Sequence, residues 1–172
     1  MLQYHQFEFI GLERFGPIQE KLYTLLEQAM TYRDDAYNQA IEEAVCNAAR
    51  YALDGPKKAF ITIVVQVMPS TVSVQVLSRT HPFDAKAYQK SLQALLEDPV
   101  TRNMDWGDYV GLSDASTGFW YMLTGCDYLY LDSHGQAVTL VTSIRDHAEP
   151  VPVTRIGALV PRFLVRENGV IL

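Results

Sequence analysis

Glu43 and Asn47 lie four residues apart in a stretch where Tyr37, Ile41, Ala44, Val45, Ala48 and Ala52 recur at helical spacing. At about 100° per residue the carboxylate and the amide share one helix face, and the apolar stripe points nearly the opposite way. Neither belongs to the core that the stripe enters. Two readings stay open: a solvated face, which is ordinary for acidic residues such as Glu42 and Glu43, or a site that covers this side of the helix.

Other chemistry-bearing residue types do not assemble. The histidines at 5, 81, 134 and 147 and the two cysteines, Cys46 and Cys126, form no metal-ligand spacing. No Gly-x-Ser-x-Gly elbow and no Walker loop occurs. Asp105-Trp106-Gly107-Asp108-Tyr109 sets two aromatics between acids, which either anchors a loop to the body or offers a hot spot to a partner. A lone exposed Trp is unusual, so anchoring is the expectation.

The elements that must position these residues follow from periodicity. Residues 6–10 suit a first strand before Gly16-Pro17, and from Pro17 the spacing Ile18, Leu22, Leu25, Leu26, Ala29 predicts an amphipathic helix with Pro in its first turn. Asp34 or Asp35 caps the second helix, which Asp54-Gly55-Pro56 ends. The period then drops to two. Residues 60–68 are β-branched and 72–76 alternate Val with polar residues, which predicts an antiparallel hairpin with one buried side. Residues 84–96 return to helical composition, and 97–116 read as a long loop. Residues 119–123 suit a short buried helix, and 128–131 with 137–141 a second hairpin turning at 132–136. Residues 148–161 carry three prolines, and Asn168-Gly169 sits between short apolar runs, as in a terminal hairpin. Helices segregated from antiparallel hairpins define an α+β two-layer sandwich, with a mostly antiparallel mixed sheet and its helices on one face.

Composition bounds the function. A chain of 172 residues is one domain at roughly 100 to 200 residues each, and it can bury about two-thirds of its unfolded surface. With 48% hydrophobic and 20% charged residues it is not disordered. Fourteen basic against twenty acidic residues give a formal charge of −6, which disfavours nucleic acid and anionic membranes as partners. The cysteines fall in apolar stretches and suit a reducing compartment. There is no basic start followed by an apolar run and no window of about 18 apolar residues, so the expectation is a soluble cytoplasmic protein.

Glu43-Ala-Val-Cys-Asn47-Ala-Ala-Arg-Tyr51-Ala resembles the Glu-x-x-x-Asn box on the long helix of the GHKL ATPases, a group spanning gyrase, Hsp-type chaperones and histidine kinases. It is most similar to the anti-sigma factor serine kinase branch, with Tyr51 where that branch has His. The order of hairpin, loop, Gly-containing helix start and final hairpin extends the likeness over residues 6–144. The resemblance implies a Bergerat-type fold over 1–145, with 146–172 as a Pro-rich extension, and it implies roles: Glu43 as general base, Asn47 as Mg²⁺ ligand. Ser78, Thr80 and Pro82 then stand where the family's first glycine box carries Asp and two glycines, which removes the carboxylate that receives the adenine amino group. Ser116-Thr117-Gly118 stands for the second glycine box, either as an anion-binding helix start or as a plain N-cap. The implied function is an anti-sigma-like regulator with a degenerate ATP site, a pseudo-enzyme that needs no cofactor and binds a sigma factor or an antagonist of the anti-sigma type. Its loop 97–116 would be pinned over the old site, near Asn47, by Trp106 and Tyr109. The alternatives are an active serine/threonine kinase or ATPase using ATP and Mg²⁺, and a structural or homodimerisation module.

Overall fold

The computed structural model describes residues 2–111, 114–146 and 153–167, with only the backbone described at 114–116. Strand β1 (Gln3–Ile10) leads through a 3₁₀ turn into α1 (Phe15–Met30), whose buried Phe15, Leu22, Leu26 and Met30 fall on one stripe. Thr31, at φ 63°, ends it in the left-handed region. Helix α2 (Asp35–Arg50) starts where the Asp34 carboxylate accepts the Tyr37 N–H at 2.9 Å. That settles the cap between the two aspartates.

Strands β2 (Phe60–Val67) and β3 (Thr71–Ser78) form the expected antiparallel hairpin, with Val65 opposite Val74. Helix α3 (Ala85–Ala94) follows, capped by Asp84 on the Ala87 N–H at 2.9 Å. The next stretch is not the long loop expected. It folds as two one-turn helices, α4 (Pro99–Asn103) and α5 (Trp106–Val110), each opened by an aspartate cap, Asp98 and Asp105. Single turns carry no apolar period, so their caps were the only sequence signal.

Helix α6 (Asp114–Thr124) precedes the second hairpin, β4 (Tyr128–Asp132) with β5 (Ala137–Ser143). Its turn is tied by the Asp132 carboxylate, which accepts the Gln136 and Ala137 N–H groups, and Gly135 sits at φ 72°. The C-terminal part is built into the fold rather than appended to it. Helix α7 (Ile156–Leu159) and strand β6 (Phe163–Arg166) place Ile156, Leu159, Val160 and Phe163 in the core, and β6 runs parallel to β4. The expected terminal hairpin has its far arm, 168–172, outside the described residues.

The six strands lie in the order β1-β2-β3-β5-β4-β6. Register puts Phe9, Ile61, Ile63, Val65, Val72, Val74, Val76, Leu129, Leu140 and Phe163 on one face, in one cluster with the buried sides of α1, α2 and α6. Tyr37 of α2 fastens the layers: its buried hydroxyl donates to the Leu140 carbonyl at 2.9 Å. The other face carries exposed Tyr4, Ile10, Phe60 and Tyr128. The chain is therefore a two-layer α+β sandwich, as its element order predicts. No helix among the described residues is long and apolar enough to cross a membrane.

Candidate functional site

The face of α2 that bears Glu43 and Asn47 turns toward α6, and both residues are half-buried there. Contact is closest at two glycines. A Cβ on Gly118 would lie 2.9 Å from Glu43 Oε2 and 3.6 Å from Asn47 Nδ2, and one on Gly125 would lie 2.3 Å from the Ala36 carbonyl oxygen and 2.7 Å from Ala40 Cβ. Missing side chains thus let the two helices meet along Ala36, Ala40, Glu43 and Asn47. The face is a packed contact between the two helices, with Ala40 in the core and Glu43 and Asn47 half-buried.

Gly118 does not open the helix, as the Ser116-Thr117-Gly118 reading expected. Helix α6 begins at Asp114, so Gly118 lies in its second turn, where N–H groups bond back along the helix instead of facing a ligand. Thr117 is half-buried in the same turn, and the Ser116 side chain lies outside the described residues.

Between α2, α6 and the sheet is a cavity of about 490 Å³. Its floor is the helix side of the sheet, Val76, Leu131 and Val138; its walls include Asn47, Phe119 and Met122, with Phe83 and Tyr88 from the start of α3. The rim is residues 80–83, in a segment clamped on both sides. His81 N–H donates to the Tyr51 carbonyl at 2.9 Å and Leu53 N–H to the Arg79 carbonyl at 2.9 Å, on the α2 side. On the turn side Phe83 N–H donates to the His134 carbonyl at 3.0 Å, and Gln136 Nε2 to the Thr80 carbonyl at 3.3 Å. Thr80 and Pro82 are therefore held at the cavity.

Ser78 is not among the lining residues. It is buried at the end of β3, and its hydroxyl donates to the Ala48 carbonyl at 3.2 Å. Ala48 belongs to the last turn of α2, whose carbonyls have no partner further along the helix, so Ser78 acts as a cap from the sheet. Among the described lining residues there is no Asp, Glu, Lys or Arg. The nearby carboxylate is Glu43, on the Gly118 side.

Aromatic rings stiffen the α3 and α6 walls. Tyr88 meets Phe83 at 5.5 Å and Phe119 at 5.1 Å, and Phe119 meets Phe163 of β6 at 5.2 Å, all edge to face. Trp106, 1% exposed, stands behind Phe119 at 6.1 Å, and its backbone N–H donates to the Thr154 carbonyl at 2.8 Å. It anchors its segment, as expected, but it backs a wall instead of closing a lid. Tyr109, also expected to pin that segment, is 42% exposed. Asp105 ties the same junction: hydrogen bonds from the Thr154 hydroxyl and the Gly107 N–H hold its carboxyl below the usual range.

Of the residues singled out in the sequence, Asn47, Thr80 and Pro82 line the cavity, Glu43 and Gly118 meet at the α2–α6 contact, and most of the lining was missed. Phe83, Tyr88, Phe119, Leu131, Gln136 and Val138 come from four segments that only folding joins, and each alone reads as an ordinary core or turn residue. No group of three or more metal-ligating side chains occurs among the described residues. Cys126 is buried and Cys46 half-buried, both as free thiols; burial pushes both thiols up in pKa. No protein-family model matches the chain, and no curated protein matches it.

Proposed function

We propose that the protein is a cytoplasmic regulator of the anti-sigma type that acts by binding a protein partner, a sigma factor or its antagonist, and that its ATP site has decayed. The observation that carries this reading is the uncharged cavity beside Glu43 and Asn47. ATP brings several negative charges and an adenine amino donor. The described lining offers no Lys or Arg to the first and no carboxylate to the second. Ser78, the residue in the place of that carboxylate, is already committed to the Ala48 carbonyl. Glu43 at Gly118 and a net charge of −6 add repulsion. The residues present do not fit Mg²⁺-ATP.

Calorimetric titration with ADP and with ATP plus Mg²⁺ tests the reading. Loss of a charge-assisted hydrogen bond costs about 1.5 to 3 kcal/mol, one to two decades of affinity. The expected Kd is weaker than about 1 mM, near −4 kcal/mol. Micromolar binding would refute the regulator reading in favour of an active kinase. One observation supports that second reading, the meeting of Glu43 and Asn47 beside Gly118, which keeps a base and an amide ligand together.

A further inference from the structure

We propose that the cavity binds an uncharged, flat, largely apolar molecule of two or three rings. The inference rests on the preceding reading in taking the cavity to be closed to nucleotide.

The cavity has the volume of a small-molecule site, which commonly falls between about 300 and 1,000 Å³ and is mostly apolar with a few placed polar groups. Its walls suit a flat ligand. Phe83, Tyr88 and Phe119 hold one another edge to face, so their rings are fixed before any ligand arrives. Val76, Leu131 and Val138 lie across the sheet below them. The turn's polar groups are largely spent internally, with Gln136 Nε2 on the Thr80 carbonyl at 3.3 Å and Thr80 Oγ1 facing the Gly135 carbonyl at 3.5 Å. Asn47 is the polar side chain on the helix wall, able both to donate and to accept.

Charge selects among apolar ligands. With no Lys or Arg in the described lining, an anionic ligand would find only neutral polar groups and the His81 imidazole at the exposed rim in exchange for its water, and it would approach Glu43. A cationic ligand would find its counter-charge only outside the lining. A neutral ligand loses nothing on either account. The mouth is open to it: Tyr51, His81, Pro82 and Phe83 are exposed at the rim.

The test uses two dyes that share one ring system and differ in charge. N-phenyl-1-naphthylamine is neutral, and 1-anilinonaphthalene-8-sulfonate carries a sulfonate. The full chain is expected to bind the neutral dye at one site with a rise in its fluorescence, and the anionic dye at least about tenfold more weakly. Phe83→Ala removes a half-exposed wall ring and is expected to weaken the neutral dye about tenfold. Tyr109→Ala, an exposed aromatic outside the lining, leaves it unchanged. Asn47→Lys places a cation at the wall and narrows the gap between the dyes. Thermal melts confirm that each variant is folded.

No binding of the neutral dye, equal binding of both dyes, or an unaltered affinity in folded Phe83→Ala overturns the proposal. The preceding reading fails separately, by micromolar ATP binding. Absence of both ATP and dye binding leaves that reading standing and removes this one.

Discussion

Adding one methyl group at Gly125 is expected to push α6 off α2, whereas the same addition at Gly118 is expected to cost little. At Gly125 the new Cβ would sit 2.3 Å from the Ala36 carbonyl oxygen, which is backbone inside α2 and cannot rotate away. Ordinary contact needs roughly 1 Å more, so the helices must separate or the chain must shift after Thr124. Overpacking of this kind costs about 1 to 3 kcal/mol. At Gly118 the closest atom is Glu43 Oε2 at 2.9 Å, the far end of a flexible side chain. The gain in helix propensity from Gly to Ala, about 1 kcal/mol, offsets that adjustment. Urea unfolding followed by circular dichroism measures both. The predicted order is wild type close to Gly118→Ala, with Gly125→Ala less stable by at least about 1 kcal/mol. Equal stability of the two variants would show that the glycines do not set the helix spacing, and the account of how Asn47 reaches the cavity would fall with it.

Two further outcomes are expected. Ser78→Ala leaves the Ala48 carbonyl unpaired and is expected to lower the unfolding free energy by about 1 to 3 kcal/mol in the same urea assay, while Ser78→Asp, which sets a carboxylate against that carbonyl, is expected to lower it further without restoring ATP affinity. Burial pushes the Asp127 carboxyl up, but the Ser143 N–H at 2.8 Å and the Arg145 guanidinium at 2.5 Å outweigh it and hold it below its ordinary value of 3.8. The stability that Asp127 contributes is therefore present above about pH 4 and lost as pH falls through the lowered folded value. The stability gap between wild type and Asp127→Asn is expected to shrink from about pH 5 to about pH 2, and a constant gap would exclude the linkage.

Local chemistry made the larger elements legible. A stripe such as Tyr37, Ile41, Ala44, Val45 and Ala48 can bury only as a helix, and Val72-Ser-Val-Gln-Val76 can bury one side only as a strand. Asp34, Asp84 and Asp132 act within a few residues of their own positions, so their capping and turn roles need no distant partner. The one-turn helices α4 and α5 escaped notice because five residues are shorter than the repeat that reveals a helix. The place of strand β6 in the sheet was hidden for another reason. Four residues reading Phe-Leu-Val-Arg carry no mark of which edge they join, and their place beside β4 depends on Phe163 reaching the Phe119 and Tyr88 rings.

The sequence by itself determined that Glu43 and Asn47 share a helix face away from the core stripe, because 3.6 residues per turn is a property of the backbone alone. It also determined that position 78 offers a hydroxyl and no carboxylate, and that Thr80 and Pro82 bring side chains to the segment after it, which are matters of residue identity. Only the tertiary structure decided what faces Glu43 and Asn47. The answer depends on Gly118 and Gly125 letting α6 approach, and on the clamp between Tyr51 and His134 that holds residues 80–83 at the rim. Those contacts join residues dozens of positions apart. No local periodicity encodes them, since they exist only once the sheet has brought the ends of α2, β3 and the β4–β5 turn to one place.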